Sequence, residues 1–254
     1  MMRTWISKGW RPFLVLILLF IIWEVSIRVF DVPAWLMPPP SDIWAEGVAS
    51  WPVFKGHLAS TTTLTIAGFV IGCSIGIGTA VGLHLLPKVK EAIYPLMILS
   101  QNIPIIVLAP LLVIWFGFGL LPKIIVITLI CFFPVAVSAL DGFRQTNAEY
   151  ILYMKMSGAS KGQIFRKVEW PHALPSIFSG LKISATYSVM GAVISEWLGA
   201  QKGIGVYMTL ASSSFRTDRV FVAIFMIMLL SLVFFGIILL LEKFMVKWNR
   251  KEDK

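Results

Sequence analysis

Few residues in this 254-residue chain are of types that do covalent or metal chemistry, and they do not converge. His57, His84 and His172 are scattered, neither H-E-x-x-H nor G-x-S-x-G occurs, and no carboxylates pair for acid and base roles. Cys73 and Cys131 lack metal-ligand spacing and sit in apolar stretches, where they read as small buried hydrophobes. Met154, Met156, Met190 and Met208 have no Cys or His near them in sequence and read as gap fillers. With no G-x-x-x-x-G-K-[ST] phosphate loop either, an enzyme reading has no site to stand on. What remains is polar groups inside long apolar runs: Gln101 and Asn102 ahead of Pro104, and Lys182 and Glu196, which lie 14 positions apart and so on nearly one helix face. Such groups are costly to desolvate, so each either meets a passing solute or braces neighbouring helices. Gln101, Asn102 and Glu196 are the candidates for a solute path, while Lys182 is near enough to one end to snorkel.

The elements that must carry these groups follow from composition. The chain is 57% hydrophobic and 14% charged, with a mean hydropathy of +0.83, more apolar surface than one water-facing shell can hide. The expected fold is an all-α integral membrane protein with six transmembrane helices, at about residues 12–30, 59–86, 91–115, 120–140, 173–198 and 220–241. The first run follows Arg3, Lys8 and Arg11 but is too long for a signal-peptide core and lacks a small-residue cleavage site, so it stays as an anchor.

A net charge of +9 raises nucleic acid as a partner, but the distribution of the basic residues fits membrane topology. Fifteen lie in the N-terminal tail, the loops after spans two and four and the C-terminal tail, against five in the alternate segments. Both termini are therefore expected on the cytoplasmic side of a multi-pass protein. In the outer segment, Pro38 to Pro40 with Trp35, Trp44 and Trp51 suggest a polyproline-like stretch and a short interfacial helix begun by Ser41 and Asp42. Gly68, Gly72, Gly76, Gly78 and Gly82 recur along span two at a spacing that lets helices approach closely.

The cytoplasmic loop of residues 141–172 is long enough to need a role. Asn147 can cap a helix running to about Ser157, Gly158 supplies a break, and Ser160 caps a second short amphipathic helix that Pro171 interrupts. Ile164 and Phe165, rimmed by Lys161, Arg166 and Lys167, suit either a partner's hydrophobic groove or an anionic membrane surface.

The run from Met156 to Pro175 resembles the coupling-loop signature of permease subunits of ATP-binding cassette (ABC) importers, E-A-A-x3-G-x9-I-x-L-P. Gly158 falls on its glycine, and Val168 and Pro171 on its isoleucine and proline, while Leu152, Tyr153 and Met154 replace the acidic residue and alanines and Trp170 replaces the leucine. Residues 57–61, 103–110, 115–119 and 196–207 extend the resemblance to the nitrate/sulfonate/taurine branch over nearly the whole chain. Residues 194–205 and 36–43 are most similar to permeases for thiamine pyrimidine precursors.

The resemblance implies a type I permease domain over residues 1–254 in a bacterial cell membrane. It also implies a division of labour among chains: a homodimer of this subunit, a separate cytoplasmic ATPase that uses ATP and Mg, and an extracytoplasmic solute-binding protein. No cofactor is expected in this chain. Gly158, Ala159, Ser160, Ile164, Phe165, Arg166 and Pro171 are implied to couple it to the ATPase, and Glu24 falls on a first span that wraps the outside of the bundle. An ion-coupled carrier is the alternative, disfavoured because the spans lack paired acidic relays.

Overall fold

A computed structural model describes residues 2–246, with side chains from residue 10 onward. Arg3, Lys8, Lys247, Arg250, Lys251 and Lys254, which entered the orientation count, lie outside those described side chains. The helices are α1 (Met2–Val29), α2 (Pro40–Leu85), α3 (Pro87–Ser100), α4 (Ile105–Phe116), α5 (Leu120–Arg144), α6 (Ala148–Met156), α7 (Lys161–Ile164), α8 (Trp170–Glu196), α9 (Ile204–Ser213) and α10 (Thr217–Met245), with a π-helical turn at Phe165–Glu169. Five helices are long and apolar enough to cross a membrane, and α3 with α4 makes a sixth crossing if that pair is one broken span.

Three expectations about element boundaries change. The short interfacial helix and span two are one 46-residue helix, α2. Pro40 occupies its first turn, where a missing N–H costs nothing, and at 1.5 Å per residue it is about 69 Å long, far more than a bilayer core needs. Span three is bent by 99° between α3 and α4, because Pro104 cannot donate to the preceding turn and its extended backbone starts a new helix. Pro171 does not interrupt the helix begun at Lys161. The Trp170 N–H bonds the Phe165 carbonyl oxygen in a π turn, and Pro171 then sits in the first turn of α8. A single run from Lys161 to Glu196 results.

Helix α5 is the centre of the bundle, packed against α2 and α8. Glycine permits both approaches. A Cβ on Gly72 would lie 2.7 Å from the Thr128 carbonyl oxygen, and one on Gly180 2.7 Å from that of Pro134. Gly68 and Gly76 are equally close to Ile127 and Phe132, but Gly78 and Gly82 face open space, so the packing stripe on α2 covers three of the five glycines. Helix α9 is short and apolar and packs its Ile204 and Tyr207 with Phe54 and Val189.

Candidate functional site

The loop between α5 and α8 is built by local hydrogen bonding. The Asn147 side chain accepts from the Glu149 N–H at 2.8 Å and starts α6. At the other end the Gly158 N–H bonds the Lys155 carbonyl and the Ala159 N–H bonds the Met154 carbonyl, each at 3.0 Å. This paired closure needs a left-handed residue, and Gly158 has φ +75°. Ser160 then forms a capping box with Gln163, the Ser160 N–H donating to Gln163 Oε1 at 2.7 Å and the Gln163 N–H to Ser160 Oγ at 3.3 Å. Helix, glycine break and capped helix thus stand where the sequence placed them.

The outward face differs from the one expected. Ile164 is buried, 4% exposed, and Phe165 is partly buried in a ring cluster with Phe143 at 5.6 Å and Trp170 at 6.0 Å. His84 stacks on Phe143 at 4.7 Å, and its Nε2 lies 3.0 Å from Glu169 Oε2. Phe165 therefore ties the loop to the ends of α2 and α5, and Ile164 is turned inward. The exposed apolar surface belongs to α6, where Leu152, Tyr153 and Met156 lie open and none of the helix's residues is buried. These three positions share one helical face, with Lys155, Lys161, Arg166 and Lys167 exposed around the loop. The motif spacing points to the residues after the glycine and says nothing of this face. The signal was available in the aromatic character of Phe143, Phe165 and Trp170, which competes for the interior.

At the opposite end, Glu196 is 2% exposed. Its carboxylate accepts from Thr61 Oγ1 at 2.7 Å and from the Gly205 N–H at 2.8 Å. Thr61 Oγ1 in turn accepts the Ile204 N–H at 2.8 Å, and His57 Nδ1 lies 3.1 Å from the Gly203 nitrogen. Glu196 thus caps the N-terminus of α9, where the first amides need partners, and closes the intervening loop onto α2. These bonds give Glu196 a structural part in joining α8, α9 and α2.

Gln101 and Asn102 are exposed at the α3–α4 break. The Asn102 Nδ2 donates to the Ile98 carbonyl at 3.0 Å and closes the end of α3, whereas the Gln101 side chain has no hydrogen bond among the described residues. No hydrogen bond joins either to Glu196 among the described residues. Lys182 pairs with Glu242 at 2.9 Å, bracing α8 to α10 rather than snorkelling free. Glu24 accepts from Arg28 at 2.7 Å and from the Ser41 N–H at 3.1 Å, tying α1 to the start of α2. Among the described residues no group of His, Cys, Asp or Glu could hold a metal ion.

Residues 68–247 match the sequence profile of the binding-protein-dependent transport system inner membrane component family. The chain belongs to this family. It is similar to the formylaminopyrimidine transport permease protein ThiX of Halalkalibacterium halodurans, 35% identical over 95% of this chain and 97% of that one. The riboflavin transport system permease protein RibX of Chloroflexus aurantiacus is 30% identical over 96% and 91% of the two chains. The taurine transport system permease protein TauC of Escherichia coli is 30% identical over 85% and 80%. The protein is thus a permease subunit of an ABC importer, a multi-pass membrane protein that carries out transport rather than catalysis. Membership implies a partner ATPase using ATP and Mg and a solute-binding protein.

Proposed function

We propose that this permease moves a thiamine pyrimidine precursor, or a close heteroaromatic relative of one, into the cell when its partner ATPase turns over. The observation that carries the reading is the 35% identity to a formylaminopyrimidine permease along almost the full length of both chains. Aliphatic sulfonate and taurine permeases at 26–30% identity support a second reading within the same family, in which the solute is a sulfonate, taurine or nitrate.

In this reading both termini and the loop of residues 141–172 face the ATPase. The exposed face of α6 seats in a hydrophobic groove of that partner, and the Gly158 turn with Ala159 and Ser160 fixes its angle to α8. Arg166 rims the contact, while Ile164, Phe165 and Pro171 act from behind it by carrying movement of the loop into α8. Two copies of the permease enclose the path, and Gln101 at the α3–α4 break is the group left to meet the solute.

The test is reconstitution of the permease, its ATPase and its binding protein in liposomes with labelled formylaminopyrimidine and labelled taurine. Accumulation of the pyrimidine that stops when ATP is omitted is the expected result. Accumulation of taurine alone would replace the proposed substrate, and uptake of either solute without the ATPase would replace the importer mechanism with a carrier.

A further inference from the structure

Helix α1 leans on the bundle at few points. Phe20 and Trp23 pack on Phe225 and Phe221, with centroid separations of 6.0 and 5.2 Å, and the Glu24, Arg28 and Ser41 bonds hold the end next to α2. Between α1, the start of α2 and α10 lies an open groove of about 650 Å³, walled by Phe20, Ile43, Trp44, Trp51, Val222 and Phe225. Gly47 lies on the α2 side, where a Cβ would touch Val222 at an ordinary 3.6 Å. The walls at Phe20, Val222 and Phe225 belong to helices long and apolar enough to cross a membrane, and the apolar lining offers water no partners, so a hydrocarbon chain suits it better than solvent.

The end of the groove away from the coupling loop is polar in a particular way. Arg219 lies one turn before Val222 on the same face of α10, and its Nε donates to Glu46 Oε1 at 2.7 Å. Arg216 bonds Glu46 and Asp218 at 3.0 and 2.8 Å. The two arginine side chains are 43% and 40% exposed, whereas Glu46 and Asp218 are 16% and 23% exposed. The carboxylates thus sit behind the guanidinium groups and leave positive charge facing outward. The terminal nitrogens of Arg219 have no partner among the described residues, and a guanidinium fork suits phosphate oxygens. Trp44 and Trp51, both exposed, line the groove near this end as interfacial tryptophans do.

We propose that this groove binds one acyl chain of a phospholipid whose phosphate rests on Arg219, in the leaflet opposite the coupling loop. The lipid fills the space that α1 leaves and holds α1 to the bundle.

The test uses the intact permease complex in lipid nanodiscs carrying a phospholipid with a photoactivatable diazirine in its acyl chain, with adducts mapped by mass spectrometry. Adducts should concentrate at residues 43–54 and 222–226 and be competed by unlabelled phospholipid. Gly47→Leu should lower that labelling about tenfold, the effect of expelling roughly two methylenes at about 0.8 kcal/mol each. Arg219→Gln should lower labelling by the phospholipid but not by a diazirine diacylglycerol, which has no phosphate. Adducts spread evenly along the exposed faces of α1 and α10, full labelling of Gly47→Leu, or loss of groove adducts as a second copy binds there would each overturn the site. Equal labelling of Arg219→Gln by both lipids would overturn the phosphate contact.

Discussion

At Gly158 the constraint is on the backbone alone. Its φ of +75° is left-handed and nothing lies within 4 Å of a built Cβ, so a substitution there is opposed by conformation and not by crowding. Placing a β-branched residue in that region costs about 1–2 kcal/mol, and asparagine tolerates it best among the alternatives. Gly158→Val should abolish solute uptake at normal membrane expression, and Gly158→Asn should retain most of it, as measured by uptake against immunoblot level. Glu196→Ala leaves the Gly205 N–H without its acceptor, at about 1–3 kcal/mol for a stranded buried group, while the Thr61 hydroxyl keeps the His57 carbonyl as its acceptor. The expected readout is a lowered melting temperature in detergent. Gln101→Leu should slow uptake with no change in melting temperature, because that side chain holds nothing else in place. Glycine, caps and motif spacing were legible at this scale because they act through neighbours in sequence. The roles of Glu196 and Phe165 were not, because they depend on Thr61 of α2 and on the rings of Phe143 and Trp170, partners that periodicity does not name.

The elements divide in the same way. Apolar length alone placed the long helices, and Pro104 marks the α3–α4 bend, where the chain turns by 99°. The continuity of α2 through Pro52 and the persistence of helix through Pro171 were hidden because proline is an ambiguous signal: it ends a helix only if the freed carbonyls cannot be satisfied otherwise. Glycine spacing was likewise ambiguous, since Gly72 meets α5 and Gly78 meets nothing. Gly72→Ala should therefore destabilise the fold by about 1–3 kcal/mol through overpacking, while Gly78→Ala changes stability by no more than about 0.5 kcal/mol. Thermal unfolding of the two variants side by side checks this, and equal shifts would place the α2–α5 seam elsewhere.

For the whole molecule, the chain's charge asymmetry, its helices and its family agree on a transport subunit that takes its energy from another chain. For the proposed coupling the molecule offers the exposed face of α6, held by the Gly158 turn and backed by the His84 and Glu169 pair. The most direct measurement is co-purification of the ATPase in mild detergent with tagged wild type and with a Leu152→Asp, Tyr153→Asp double variant, quantified by mass spectrometry. The account predicts an ATPase at about one per permease chain with wild type, as docking of one groove per coupling helix requires, and its loss from a variant that still inserts and folds. Retention of the ATPase at the wild-type ratio by that variant would contradict it.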